Sequence, residues 1–129
     1  MASERAIQNA IRNGLTDHGL YFRANVGRAW TGNQVERLPG RRVLIHGARP
    51  FDTGLPPGFS DLFGNTPVVI TPEMVGQTIG VFTVMEVKTP TGRLSDVQRR
   101  FLQAVNDNGG RAGVARSVED ALRIVRGDS

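Results

Sequence analysis

Cysteine is absent from the chain, and histidine occurs only at positions 18 and 46. The first absence excludes disulfides and thiolate metal sites, and the wide separation of the two histidines excludes a local imidazole metal pair. Any metal ion here must be held mainly by oxygen. No apolar run approaches the roughly 18 residues that a membrane span needs. The N-terminus reads as a polar helix rather than as a signal peptide. A soluble, cytoplasmic protein without a membrane partner is therefore expected. The 129 residues, 39% of them hydrophobic, suit one domain spanning 1–129 with its own core. There is no internal repeat, low-complexity tract or linker.

Lysine is almost as scarce. Of sixteen basic side chains fifteen are arginine, and the one lysine is Lys88. An ammonium is a compact charge whose pKa moves readily and which fits close to a reacting water, whereas guanidinium is a rigid fork. A chain that meets its general need for positive charge with arginine, yet has lysine here, marks this position for attention. Six arginines (Arg23, Arg28, Arg37, Arg41, Arg42 and Arg49) stand against the single acid Glu36 between positions 23 and 49. Such a cluster fits a footprint for phosphate backbones. It equally fits a solvated, arginine-rich loop.

Ser3 is placed to cap a helix with Ile7, Ile11 and Leu15 on one face, ending between Gly14 and Gly19. Residues 20–26 alternate as a half-buried strand does, with Arg23 and Asn25 on the polar side. From 27 to 58 the chain is rich in Gly, Pro and Arg, and a hairpin followed by a loop is expected, with short strands at 29–31 and 43–46. A strand at 59–63 is expected to end at the Gly64 and Asn65 turn signal, with 68–71 as its hairpin partner. The strongest strand pattern is 81–87, nearly continuous in apolar and β-branched residues, as in a central strand covered on both faces. Ser95 and Gln98 form an S-x-x-Q capping box opening a helix with Val97, Phe101, Leu102 and Val105 on one face, stopped by Gly109 and Gly110. A short strand at 112–115 and a helix capped by Ser117, with Val118, Ala121, Leu122 and Val125 inward, complete the chain. A helix between the main strand and a later one permits a parallel crossover, so the fold class is α/β with a mixed sheet flanked by helices.

Glu86 and Lys88 lie two apart on the main strand and so share a face. Asp61, set in the middle of the preceding strand pattern, is costly to bury alone. Two carboxylates brought together repel unless a divalent cation lies between them. Carboxylate, carbonyl and water are the ligands that Mg²⁺ accepts. The plainer reading is an ion pair of Glu86 with Lys88 at a strand end and Asp61 in a turn. Trp30, His46 and Met85 are read as core or hairpin residues.

The strings GFSDLFG (58–64), FTVMEVKTPTGRLSDVQRRFL (82–102) and NDNGGRAGVARSVEDAL (106–122) together resemble the VRR-NUC family of PD-(D/E)XK nucleases, over most of the chain. The resemblance implies a restriction-endonuclease-like core and hydrolysis of phosphodiester bonds in DNA with Mg²⁺ or Mn²⁺. It implies Asp61, Glu86 and the carbonyl of Val87 as metal ligands and Lys88 as the catalytic lysine. It also implies that Glu4 on the first helix faces the metal site directly or through water and that Gln98 borders the site; each also has a structural explanation, as a first-turn acid and as a capping-box member. Ser60 replaces the proline of the motif's name, and 65–80 is an insertion, with dimer contact as one use for it. Family members made of this domain alone, found in phages and bacteria, resemble Holliday junction resolvases. That implies a homodimer acting on branched DNA, with Arg23, Arg28, Arg41, Arg42 and Arg93 as backbone contacts. A flap, single-strand or nicking nuclease, and a DNA-binding module without activity, are the alternatives.

Overall fold

The structure, a computed structural model, describes residues 1–128. It is mixed α/β, with three α-helices, a 3-10 turn and eight short strands among the described residues. No helix among them is long and apolar enough to cross a membrane. The chain forms two compact units, Met1–Phe22 with Gly64–Ser129, and Arg23–Phe63.

In the first unit α1 is Glu4–Gly14, capped by the Ser3 hydroxyl, which accepts from the Ala6 N–H. The central pair is parallel: β7 (Thr83–Val87) lies beside β8 (Arg111–Ala115), with Glu86 opposite Val114. The helix α2 (Asp96–Asp107) makes the crossover between them, as the sequence order requires of a parallel pair. Its capping box forms as expected, with Ser95 accepting from the Gln98 N–H and Gln98 accepting from the Ser95 N–H. The last helix, α3 (Val118–Arg126), is capped by Ser117 and ends at Gly127 in the left-handed region that glycine adopts freely. Leu102, Val105 and Ala115 are the buried apolar residues, and Phe22 stacks against Phe82 and meets Phe101 edge-on.

The second unit is built on a long ribbon. In it β2 (Arg28–Thr31) pairs antiparallel with β5 (Arg49–Asp52), and β3 (Gln34–Leu38) with β4 (Arg42–His46). Arg28 faces Asp52, Thr31 faces Arg49, Gln34 faces His46 and Leu38 faces Arg42. Two residues separate the paired segments on each strand, so the two ladders belong to one hairpin with a joint at Gly32–Asn33 and Gly47–Ala48. Gly47, with φ 63°, supplies the left-handed backbone of that joint. The tip is Pro39, Gly40 and Arg41.

Several expectations change. The strands pair in twos rather than in one central sheet. Residues 28–52 form the expected hairpin, built of four short strands where two were expected, and 53–58 follow it as loop, but 68–71 is not a strand. The first strand, β1, stops at Leu20–Arg23 and pairs with β6 (Leu62–Asn65). Gly64 and Asn65 are therefore strand rather than turn. A side chain at Gly64 would collide with the Leu20 carbonyl and with Tyr21, so glycine serves close backbone approach there. Asn65 is buried, and its amide donates to the Asn108 carbonyl at 3.1 Å. The strand β7 is not covered on both faces, because Val87 is 76% exposed. Val118, Leu122 and Val125 are exposed, while Ala121 and Ile124 turn inward, and Ile124 packs over Gly113. Ile7, Ile11, Val97 and Phe101 are likewise exposed.

Candidate active site

The end of β7 brings Glu86, Lys88 and Gln98 together. The period of two puts Glu86 and Lys88 on one face, and Lys88 Nζ lies 3.4 Å from Glu86 Oε1. Both side chains are mostly withdrawn from water, at 32% and 21% exposed. The same Glu86 oxygen accepts from Gln98 Nε2 at 2.9 Å. The capping box dictates that polarity. Gln98 Oε1 is engaged by the Ser95 N–H at 3.0 Å, so the amide has to present its NH₂ to Glu86. Gln98 thus caps its helix and holds the Glu86 carboxylate at once.

The donors that remain suit a hard cation. Glu86 Oε1 takes both contacts, which leaves Oε2 as the free carboxylate oxygen. Arg111 N–H donates to the Phe82 carbonyl and Lys88 N–H to the Ala115 carbonyl. In a parallel ladder this register leaves the carbonyl of Val87 on the edge away from β8, and among the described residues β7 has no other strand partner. A carboxylate oxygen and a strand carbonyl at one strand end are ligands of the type that Mg²⁺ or Mn²⁺ accepts. Among the described residues no three His, Asp or Glu side chains converge on one point. Glu4 stands exposed at the start of α1, with no hydrogen bond or ion pair to these groups. Asp61 belongs to the second unit, in the bend before β6 rather than mid-strand. It is exposed, and its carbonyl accepts from the Ala24 N–H at 2.9 Å.

Sequence reasoning passed over Arg116. Its guanidinium donates to the carbonyls of Thr89 and Gly92, the latter at 2.8 Å, and so grips the turn 89–92 that directly follows Lys88. The turn closes with Gly92 N–H donating to Thr89 O at 3.1 Å and has Pro90 at its second position. Arg116 is itself set by Asp120, whose carboxylate accepts from the Arg116 N–H at 2.8 Å. That bond, ahead of the contributions of Arg123 and Ser117, holds the Asp120 carboxyl below its usual range. An arginine one residue beyond a strand that pairs with the E-x-K strand was the available signal.

The expected DNA-contacting arginines divide. Arg23 and Arg93 are exposed, and Arg41 sits at the ribbon tip with φ 60°. Arg28 pairs with Asp52 at 3.6 Å, and Arg42 donates to the Pro39 carbonyl at 2.9 Å.

The VRR-NUC domain family model matches residues 3–119. The chain belongs to the VRR-NUC domain family, and its class is that of a nuclease, a hydrolase acting on DNA, in a family that generally works with divalent metal ions. Comparison with curated proteins and with solved structures gives no match.

Proposed function

We propose that this protein is a divalent-metal-dependent, structure-selective DNA endonuclease with a restriction-endonuclease-like core, acting as a homodimer on four-way junctions. The observation that carries the reading is the fixed Glu86 carboxylate at the end of β7, held on one oxygen by both Lys88 and Gln98. Glu86 Oε2 and the Val87 carbonyl would hold the ion from this strand. Asp61 and Glu4 are assigned as further ligands on the family resemblance alone. When bound, Mg²⁺ or Mn²⁺ supplies a lowered pKa for water and neutralises charge developing on phosphate oxygens. Lys88, drawn toward Glu86 and sheltered from bulk water, places its ammonium where a phosphate oxygen gains charge or an attacking water must be oriented. Gln98 keeps the carboxylate from rotating.

The substrate follows from the proposed homodimer: two copies would present two sites to a junction with the same two-fold symmetry. The insertion exposes Val69 (86%) and Val75 (81%), side chains that a second copy would cover. Cleavage of junction, flap, duplex and single-stranded DNA with Mg²⁺, Mn²⁺ or EDTA tests the whole reading. Paired incisions in opposed strands of the junction, with the other substrates cut more slowly, are expected. Preference for flap or single strand would move the assignment to that substrate. No cutting with any metal would leave a DNA-binding module.

A further inference from the structure

We propose that the β2–β5 ribbon, residues 28–52, lies in the major groove of duplex DNA and binds it through the faces that carry Arg37 and Arg49. The proposal rests on the nuclease reading only in taking DNA as the partner.

The strand registers separate the charges. In the outer ladder Glu36 shares a face with His46, which lies 3.3 Å from it, and the opposite face carries Val35, Arg37, Val43 and Ile45. In the inner ladder Asp52 shares a face with Arg28, its ion-pair partner, and the opposite face carries Ala29, Thr31, Arg49 and Phe51. Each acid of the ribbon therefore stands on one face, already engaged, and each opposite face holds an exposed arginine without an ion pair. An isolated two-stranded ribbon is marginally stable in water, and this one exposes Val35, Val43 and Phe51 at 57%, 55% and 50% on the arginine faces and Trp30 at 65% on an acid face.

Charge complementarity selects the occupant. A second copy offering the same face would set arginine against arginine, and its other face holds acids that are already paired. A polyanionic duplex answers both features: phosphates meet the arginines, and the valines and Phe51 meet base edges and thymine methyls. The major groove, about 12 Å wide, admits a two-stranded ribbon. From Arg28 to Leu38 the strand runs on the order of 30 Å at roughly 3.3 Å per residue, close to one duplex turn of about 34 Å.

The test is fluorescence anisotropy of a labelled 30-base-pair duplex with the full chain in EDTA, so that binding is read without cutting. R37Q/R49Q should weaken binding at least about tenfold near 0.1 M salt, and the slope of log affinity against log salt should fall by about two. Arg99→Gln, at an exposed arginine of α2 paired with Asp96, should change affinity less than about twofold, and R37K/R49K should bind nearly as wild type. Glucosylated hydroxymethylcytosine in the duplex, which fills the major groove, should block binding, while the minor-groove ligand netropsin should not. Wild-type affinity in R37Q/R49Q, equal loss in Arg99→Gln, or displacement by netropsin would each overturn the proposal. So would a fall from dimer to monomer mass in R37Q/R49Q with unchanged duplex affinity, which would give the face to a second copy. A chain that binds as expected yet cuts nothing would sink the nuclease reading and leave this one standing.

Discussion

The end of β7 and the ribbon 28–52 both display charge on paired strands, and they hold it in opposite ways. Glu86 and Lys88 are mostly shielded, and Gln98 fixes the carboxylate from a helix whose own cap fixes Gln98. Arg37 and Arg49 are exposed and unpaired. Shielded, over-determined groups act at one point and lose their effect when moved by an ångström. Exposed arginines act through a field that sums over many phosphates and that salt screens. Substitution at the first place should therefore stop the chemistry while sparing binding, and substitution at the second should do the reverse.

Lys88→Ala and Glu86→Gln sharpen this contrast most. Each should lower the cleavage rate by about 10² to 10⁴-fold, measured in single turnover with Mg²⁺, while duplex affinity in EDTA moves less than about threefold. Equal loss of rate and of affinity would erase the distinction between the two regions.

Gln98 comes next, because it tests whether orientation and capping are one device. Gln98→Ala removes the donor to Glu86 and half of the capping box. The rate should fall about 10 to 100-fold, as when a group that orients a metal ligand is lost. Ser95→Ala breaks the cap from the other side and leaves the amide free to turn. It should cost about 1 kcal/mol in stability and a smaller part of the rate. If Ser95→Ala lowered stability with an unchanged rate, the cap would be shown not to govern the amide.

The parts of the molecule that were legible beforehand are those written locally. The Ser3, Ser95 and Ser117 caps, the parallel β7–β8 pair and the shared face of Glu86 and Lys88 follow from spacing alone. The ribbon was legible only in part: the strands at 29–31 and 43–46 were expected, but Gly32, Gly40 and Gly47 break it into runs of four or five residues that only long-range register joins. Asp61 was misplaced because the Gly64 and Asn65 pair carries a turn composition, whereas Gly64 is needed beside Tyr21 and Asn65 is satisfied by Asn108. Which side of α3 faces inward depends on Gly113, whose missing side chain admits Ile124. For Arg116 the sequence offered only its place one residue beyond β8; its partners, two carbonyls more than twenty residues away, are set by the fold.

Arg116 extends the contrast by a smaller step. Arg116→Ala frees the turn after Lys88 without touching Lys88, so kcat should fall about tenfold with KM nearly constant, the signature of lost positioning rather than lost binding. A rise in KM with constant kcat, together with a shallower salt dependence, would place Arg116 among the phosphate-contacting arginines instead.

The smallest effect expected is in pH. Asp120 has its carboxyl held below the ordinary value, chiefly by the Arg116 N–H. A carboxylate depressed in the folded state stabilises the fold at pH values above its unfolded pKa, about 3.9, and that contribution fades as pH falls through the folded value. Neutral-pH stability should therefore be higher in the wild type than in Asp120→Asn, and the gap in Tm between them should close as pH drops below about 4. The same titration loosens the N-terminus of α3 and, through Arg116, the grip on the turn 89–92. A Tm gap that stayed constant from neutral pH down to pH 3 would show that the carboxylate's charge does not hold Arg116 in place, and that the grip on this turn depends on the guanidinium alone.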